Sequence, residues 1–484
     1  MWFWPHATQI SSMNDKEQIE SSPTSSLARL AVGITWNTTP ADVQQRVLLA
    51  VRDTLACGVA GYDTPLARMH RVSNPVTAGG RSLIIGSTEF ASAQSAAFHN
   101  ATAMNAMDFD DTAAVSGHPG APILGAALAV AQECGASGPE LLTSVLTGYE
   151  VAARVAVACR PSHQQYLLVH GSQSVLGFGT VAAVAKLLKL DEEGYRNAFG
   201  IVAALCPVPL AGKFGWDERQ LSWIKDNVNW PAEAGVRAAK LAAEGFPASR
   251  TIFDGPKGFW RMMASDQFDR APLLDRKTFY TRALAFKPYP CCRWMHSALQ
   301  AFEGAFADAS QPRGDRIAHI TVTTTAAVAH GFGNLSPATM IDAQFSVPHA
   351  IAALCLGTPF ERWWDQATRE RPNARALMSK VKLEEDPAMT KAFVSNGRNV
   401  NAIPAHVCIE LLDGTRHEAF CETPFGVMTE SDDDMTHLML ARKHHALFAT
   451  KYEDEAIDQL LDAIHAIPCS PDLDKLTHCL AALH

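Results

Sequence analysis

The sequence predicts a mainly α-helical protein with a smaller α+β domain inserted between two helical stretches, on three observations. Residues 39 to 245 carry Ala, Val and Leu at helical spacing, punctuated by Gly and Pro. Alternating β-branched residues first dominate after about Ala283, in Ile317-Ala-His-Ile-Thr-Val-Thr-Thr-Thr. From Glu430 to the end, amphipathic helical spacing returns. The organisation expected is a disordered segment over 1–26, the first part of a helical domain over 27–283, an α+β lid domain over 284–425, and the closing part of the helical domain over 426–484.

Each element follows from local chemistry. The start, Met1-Trp-Phe-Trp-Pro-His, lacks a basic run and a sustained apolar core, so no secretion signal is expected, and Met13 is an alternative start. Residues 7 to 26 are polar and Ser-rich. Thr39-Pro40-Ala-Asp42 supplies a hydroxyl cap, a first-turn proline and an acid at the positive end of the dipole, opening a helix to about Ala60. Phe90 to Met107, free of Gly and Pro, reads as a close-packing helix. Helices are further expected at 120–134, 138–159, 173–188, 192–206 and 231–245. The near-absence of alternating β-branched runs in this part argues against a Rossmann sheet, and no glycine-rich phosphate loop appears. After the strand at Ile317 comes a helix at about 343–356, then strands at Val381-Lys-Leu-Glu and His406-Val-Cys-Ile-Glu-Leu. Asp413-Gly414 turns the second into Arg416 to Cys421.

Composition removes several classes of function. The net charge of −9, with no basic block, speaks against a nucleic-acid partner and requires any anionic substrate to be held by a local group of cations. No apolar run reaches the roughly 20 residues of a membrane span, so no membrane partner is expected. Eleven cysteines, an odd number without Cys-x-x-Cys spacing, suggest neither a disulfide framework nor zinc, and point to a reducing, cytoplasmic setting. Cys291 and Cys292 read as packed thiols.

The stretch from Met104 to Ala121 places acids, hydroxyls and an imidazole at a break in an apolar helical region. If the helix continues to Thr112, Asp108 and Thr112 share a face. Gly117, Pro119 and Gly120 then set His118 on a turn. Two other readings stand beside an active-site corner: solvated charges at Asp110 and Asp111 with His118 bonded to backbone, and a magnesium site at Asp-Phe-Asp-Asp, which no second acidic motif supports.

Several segments in order resemble the MmgE/PrpD family of dehydratases, decarboxylases and epimerases. They are Met107-Asp-Phe-Asp-Asp-Thr with His118-Pro-Gly-Ala, Gly148-Tyr-Glu-Val-Ala-Ala-Arg, and His170 nine residues before Gly179. Trp223-Ile-Lys-Asp-Asn-Val-Asn-Trp with Gly235-Val-Arg-Ala-Ala, Lys287-Pro-Tyr-Pro-Cys-Cys-Arg and Ala343-Gln-Phe-Ser-Val-Pro-His complete the set. The resemblance implies a helical domain and a lid with the site between them, a homodimer, and no metal or organic cofactor. It carries Asp108, Thr112, His118, His170, Lys225 and Lys287 onto active-site positions of the family's decarboxylases. Two positions depart: Cys292 stands where those enzymes have a histidine, and His330 or its neighbourhood where they have a tyrosine. The segment after Lys225 is one residue shorter.

Together these readings predict a cofactor-independent lyase of a small di- or tricarboxylate. His118, His170, Asp108 and Lys225 are expected in catalysis, and Thr112, Lys287, Arg293, Cys292 and His330 in substrate binding. Imidazoles titrate near neutral pH, and Lys and Arg neutralise carboxylates. A cis-aconitate-type decarboxylase leads; a 2-methylcitrate-type dehydratase and an epimerase of an amino or imino dicarboxylate follow. From other classes, a magnesium-dependent helical enzyme and a non-catalytic carboxylate-binding protein stand as alternatives.

Overall fold

In the computed structural model, which describes residues 22–169, 172–206, 220–224, 228–308, 314–427, 433–448 and 451–483, the chain begins with helix α1 (Pro23–Gly33). Residues 22–26, expected in a disordered tail, belong to this helix or its cap. Ser22 accepts from the Ser25 amide, and the Thr24 hydroxyl donates to Asp254 at 2.8 Å, tying the helix start to a distant loop. Helix α2 (Ala41–Gly61) follows as expected, but Pro40 takes the cap position, and the Thr39 hydroxyl donates back to the Thr35 carbonyl instead.

A short hairpin, β1 (Ala78–Leu83) with β2 (Phe90–Ala91), precedes α3 (Ala93–Asn105), so the helix expected from Phe90 starts later, where the Ser92 hydroxyl caps it. Then come α4 (Gly120–Cys134), α5 (Gly138–Ala158), α6 (Ser172–Leu187), α7 (Glu192–Leu205) and α8 (Asn229–Ala243). Every residue of α4 from Gly120 to Gln132 is buried, which explains why that stretch has no polar face. It is packed by α2, α3, α5, α6 and α8. Close approach depends on small residues. A Cβ on Gly148 would stand 2.6 Å from Ile123 Cγ2 and 2.9 Å from the Gly179 carbonyl, so α5 meets α6 nearly backbone to backbone and leaves room for the Ile123 side chain of α4.

Helix α5 is long and apolar enough to cross a membrane, contrary to the expectation that no stretch reaches that length; 83% of its apolar window is buried inside the bundle. It serves as a core helix.

The α+β part opens with α9 (His296–Asp308) and β3 (Ile317–Thr324). After α10 (Ala326–Gly331), the helix expected over 343–356 is two, α11 (Met340–Gln344) and α12 (Val347–Cys355). Ser346 is extended and its hydroxyl caps α12, while Pro348, lacking an N–H, cannot continue the earlier ladder. The sheet is completed by β4 (Val381–Glu385), β5 (Ala405–Leu411) and β6 (Arg416–Cys421), with α13 (Pro387–Ser395) between β4 and β5. Its order is β4-β3-β5-β6, with β3 and β4 parallel and the other pairs antiparallel. Ala405, Val407, Ile409 and Leu411 alternate inward on β5, and α9 packs on β5 and β6.

The C-terminal helices α14 (Asp433–Phe448), α15 (Asp454–Ala466) and α16 (Asp474–Ala482) return to the bundle, where α14 and α15 pack on α2. The mainly helical class with a smaller α+β region is therefore the observed one.

Candidate active site at the meeting of the two parts

Helix α3 ends at Asn105, short of Thr112, so Asp108 and Thr112 do not share a helical face. The chain instead turns sharply. The Asp108 amide donates to the Asn105 carbonyl at 2.8 Å, and Asp108 has φ 51°, a left-handed conformation that is uncommon for a residue with a side chain. This turn aims a buried carboxylate back at its neighbours. Asp108 Oδ1 meets Lys287 Nζ, which also donates to the Asp108 carbonyl at 2.8 Å. His118 lies between two acids, with Nε2 3.3 Å from Asp108 Oδ1 and Nδ1 3.2 Å from Asp110 Oδ1. Asp110 also accepts from the Asn105 side-chain amide at 3.0 Å.

Asp111 points the other way. Its carboxyl accepts from the Gly120 amide at 2.9 Å and from the Tyr149 hydroxyl at 2.6 Å. Burial, reinforced by the nearby Asp110 charge, raises its pKa to about 7. Gly120 is required here, because a Cβ would come within 2.4 Å of Asp111 Oδ1.

The segment Gly148-Tyr-Glu-Val-Ala-Ala-Arg154 is the frame of this corner. Tyr149 holds Asp111, one residue from the Thr112 backbone. Glu150 accepts from the Thr281 amide at 2.9 Å and the Thr281 hydroxyl at 2.6 Å, and pairs with Arg154 at 3.1 Å. Arg154 in turn donates to the Thr278 carbonyl at 2.7 Å. The anchored segment leads to Ala285, which exchanges two backbone hydrogen bonds of 2.8 Å with Thr112, and so delivers Lys287 to Asp108. Six consecutive residues of α5, from Tyr149 to Arg154, thus fix both chain segments of the corner.

Below it lies a second buried charge group. Lys443 Nζ, from α14, is 2.7 Å from Asp53 Oδ1 and also donates to the Phe109 carbonyl, while its charge lies 4.1 Å from the Phe109 ring centroid. His444 Nε2 is 3.3 Å from the same Asp53 oxygen. Burial alone would raise the Asp53 pKa, but the Lys443 charge and the His444 contact leave it lowered. The C-terminal helix therefore supports the acidic turn from beneath.

Asp108, His118, Lys287 and Thr112 are brought together, the Thr112 hydroxyl donating to Asn401 Oδ1 at 3.0 Å from the α+β part. Cys292 is buried at the same junction; its amide donates to the Gln344 carbonyl, and the Gln344 side chain donates to the Ala106 carbonyl at 2.9 Å. Arg293, expected to bind substrate, is buried with its guanidinium on the carbonyls of Phe286 at 3.1 Å, Phe425 at 3.4 Å and Asn401 at 3.5 Å. It pins loops together and presents no fork to a ligand. Burial lowers its pKa to about 9, leaving it charged at neutral pH. His330 is not brought to the corner: its side chain is 73% exposed on α10 and pairs with Glu385 at 3.0 Å. His170 and Lys225 lie outside the described residues.

The Asp-Phe-Asp-Asp carboxylates face Lys287, His118, Asn105, Tyr149 and the Gly120 amide, and among the described residues no group of three or more His, Cys, Asp or Glu is arranged to hold a metal. Asp110, Asp111, Tyr149, Gln344 and Asn401 were not among the expected site residues. Tyr149 and Gln344 stand inside segments that carried the resemblance; Asn401, Asp53 and Lys443 gave no sequence signal.

Family models agree with this two-part construction. The model described as MmgE/PrpD N-terminal domain matches residues 25–271, and the MmgE/PrpD C-terminal domain matches 289–466. The chain belongs to the MmgE/PrpD family. Among its relatives, a protein named cis-aconitate decarboxylase from Mus musculus is 23% identical over 95% of this chain and 93% of its own length. One of the same name from Homo sapiens is 24% identical over 79% of each chain. The cis-aconitate decarboxylase-like protein oryM of Aspergillus oryzae is 25% identical over 59% of this chain and 61% of its own. The MmgE/PrpD chain is accordingly a member of an enzyme family that includes dehydratases and decarboxylases.

Proposed function

We propose that this protein is a lyase of a small di- or tricarboxylate, with decarboxylation of cis-aconitate or a close relative as its reaction and His118 as its acid–base group. The observation that carries the reading is the His118 ring held between Asp108 and Asp110 beside the buried Lys287 ammonium. The names of the relatives support the substrate class.

In decarboxylation the carbon–carboxylate bond breaks, carbon dioxide leaves, and the electron pair stays on the carbon skeleton until a proton arrives. Protonated His118 supplies that proton, and Asp108 and Asp110 stabilise its charge and fix its orientation. Lys287 neutralises Asp108, with two of its three donor positions engaged there. Its role is therefore charge balance in the wall of the site more than direct grip on substrate. Thr112 and Asn401 provide polar groups at the junction. By the family resemblance, Lys225 holds a substrate carboxylate and His170 is the second acid–base group. The chemistry uses protein groups alone.

Cys292 favours a second reading. A thiol in place of the histidine of the family's decarboxylases changes the groups that this wall offers to substrate, and the alternative is a 2-methylcitrate-like acid, from which one group removes the C–H proton and protonated His118 gives a proton to the hydroxyl that leaves as water. Incubation with cis-aconitate, citrate, 2-methylcitrate and iminodisuccinate tests the proposal. Carbon dioxide release from cis-aconitate alone is expected. Water loss from 2-methylcitrate would select the second reading, and no turnover of any of the four would contradict both.

A further inference from the structure

A separate cavity of about 570 Å³ opens at the seam between the two parts. The helical part contributes the end of α5 and the following loop, with Arg160 and His163, together with Phe268 and Asp269. The α+β part contributes Val394, Gly397 and Arg398. Two guanidiniums therefore meet from opposite sides. Arg160 reaches across to the other part, its Nη1 lying 3.2 Å from where a Cβ on Gly397 would stand.

Arg398 is 8% exposed and has φ 55°, a left-handed conformation. Its Nη2 donates to the Pro161 carbonyl at 2.6 Å, and its guanidinium lies 4.7 Å from the Tyr166 ring centroid. Its Nη1 is buried with no hydrogen-bond partner among the described residues. A buried guanidinium donor left open, on an arginine whose charge is opposed by that of Arg160, is costly unless a polar group completes it. Two carboxylates are near. Asp266 accepts from the Ser162 amide at 2.8 Å, and Asp269 from the Ala271 amide at 2.9 Å, and neither is ion-paired with Arg160 or Arg398 among the described residues. In the lining itself two guanidiniums stand against Asp269, while Asp266, just outside it, offsets part of the Arg398 charge.

We propose that this cavity binds a small dianion, of the phosphate or dicarboxylate type, between Arg160 and Arg398, and that the bound anion fastens the α+β part to the helical part. Planar guanidinium forks suit oxyanions with two or more oxygens, and an anion shared by two parts of a chain stabilises their closed arrangement by its binding free energy. His118, Asp108 and Lys287 are not among its lining residues, and the proposal does not rest on the lyase reading. The segment that carries Arg398 continues to Asn401, which bonds Thr112, so occupancy also steadies one wall of that corner.

Thermal unfolding and calorimetric titration of the full chain, with inorganic phosphate and succinate as probes and acetate as the monoanion control, test this. Phosphate or succinate is expected to raise Tm saturably and acetate is not; phosphate alone identifies a phosphoryl-type ligand, and both identify a general dianion site. Arg160→Gln should weaken binding by about tenfold or more, the loss of one charge-assisted contact. Arg160→Gln keeps the test open if Arg398→Gln fails to fold, since Arg398 also supports Pro161 and Tyr166. Loss of the response in Arg160→Gln, at a residue that lines this cavity and is outside the His118 corner, separates the two sites. No saturable response to either dianion, or an equal response in Arg160→Gln, would overturn the proposal.

Discussion

His118 is the residue on which the chemistry turns, and its neighbours set what a substitution does. His118→Asn retains polarity and size but no transferable proton, so kcat should fall by about 100 to 10,000-fold with a smaller change in KM, as steady-state kinetics would read. Asp111 has a different signature. In the folded protein it holds its proton up to pH about 7, whereas the unfolded chain releases it near 3.8. The folded state thus binds more protons across that window, and this contribution to stability is full below about pH 4 and is lost as pH rises toward about 7. Denaturant unfolding of wild type and Asp111→Asn across this range should show the wild-type advantage shrinking with rising pH. A constant difference would mean that Asp111 is ionised in the fold. Tyr149→Phe removes a 2.6 Å donor from the same buried carboxyl and should cost about 1–3 kcal/mol in the same measurement.

At the scale of elements, α5 does two kinds of work with adjacent residues. Its Gly148 permits contact with α4 and α6, and its Tyr149, Glu150 and Arg154 hold the acidic turn and the segment leading to Lys287. The N-terminus of α4 is equally constrained. Gly120→Ala would push a methyl group against Asp111 and Thr54, and an overpacking cost of about 1–3 kcal/mol together with reduced turnover is expected from unfolding and kinetic measurements. Most elements were legible in the sequence, because α4, α5 and the strands of the sheet carry strong apolar patterns. The acidic corner was legible in composition but not in shape. Helical spacing suggested that Asp108 and Thr112 share a face, whereas the left-handed Asp108 and the pairing of Thr112 with Ala285, 173 positions later in the chain, arise from tertiary contacts. Arg293 shows the same gap. A basic residue in a motif reads as a ligand for carboxylate, and burial among carbonyls cannot be seen in local sequence.

Across the whole molecule, the site is assembled from chain segments far apart: the turn after α3, the segment entering the α+β part, Asn401, and the C-terminal helix α14 through Lys443. Lys443→Met would leave Asp53 buried without its main counter-charge, and a loss of about 3–5 kcal/mol in unfolding free energy is expected, although Lys443 is not among the groups proposed to meet substrate. The Asp53 and Lys443 pair had no local pattern to announce it, since ion pairing across the fold depends on packing alone. The matches to the two MmgE/PrpD domain models cover the turn after α3, from 25 to 271, and Asn401 and Lys443, from 289 to 466, with Lys287 in the short stretch between them, so the shared architecture is the reason that distant motifs in order were informative. The resemblance alone marks Cys292 and His330 as departures from the decarboxylase set, and of these His330 faces outward.

The most direct test of the account is proton NMR of wild type and His118→Asn incubated with cis-aconitate in deuterated buffer. The account predicts carbon dioxide loss with deuterium entering one carbon of the product in wild type, and suppression of that product by about 100-fold or more in a folded variant. Equal product formation and equal deuterium incorporation in the two proteins would contradict the assignment of His118 as the acid–base group.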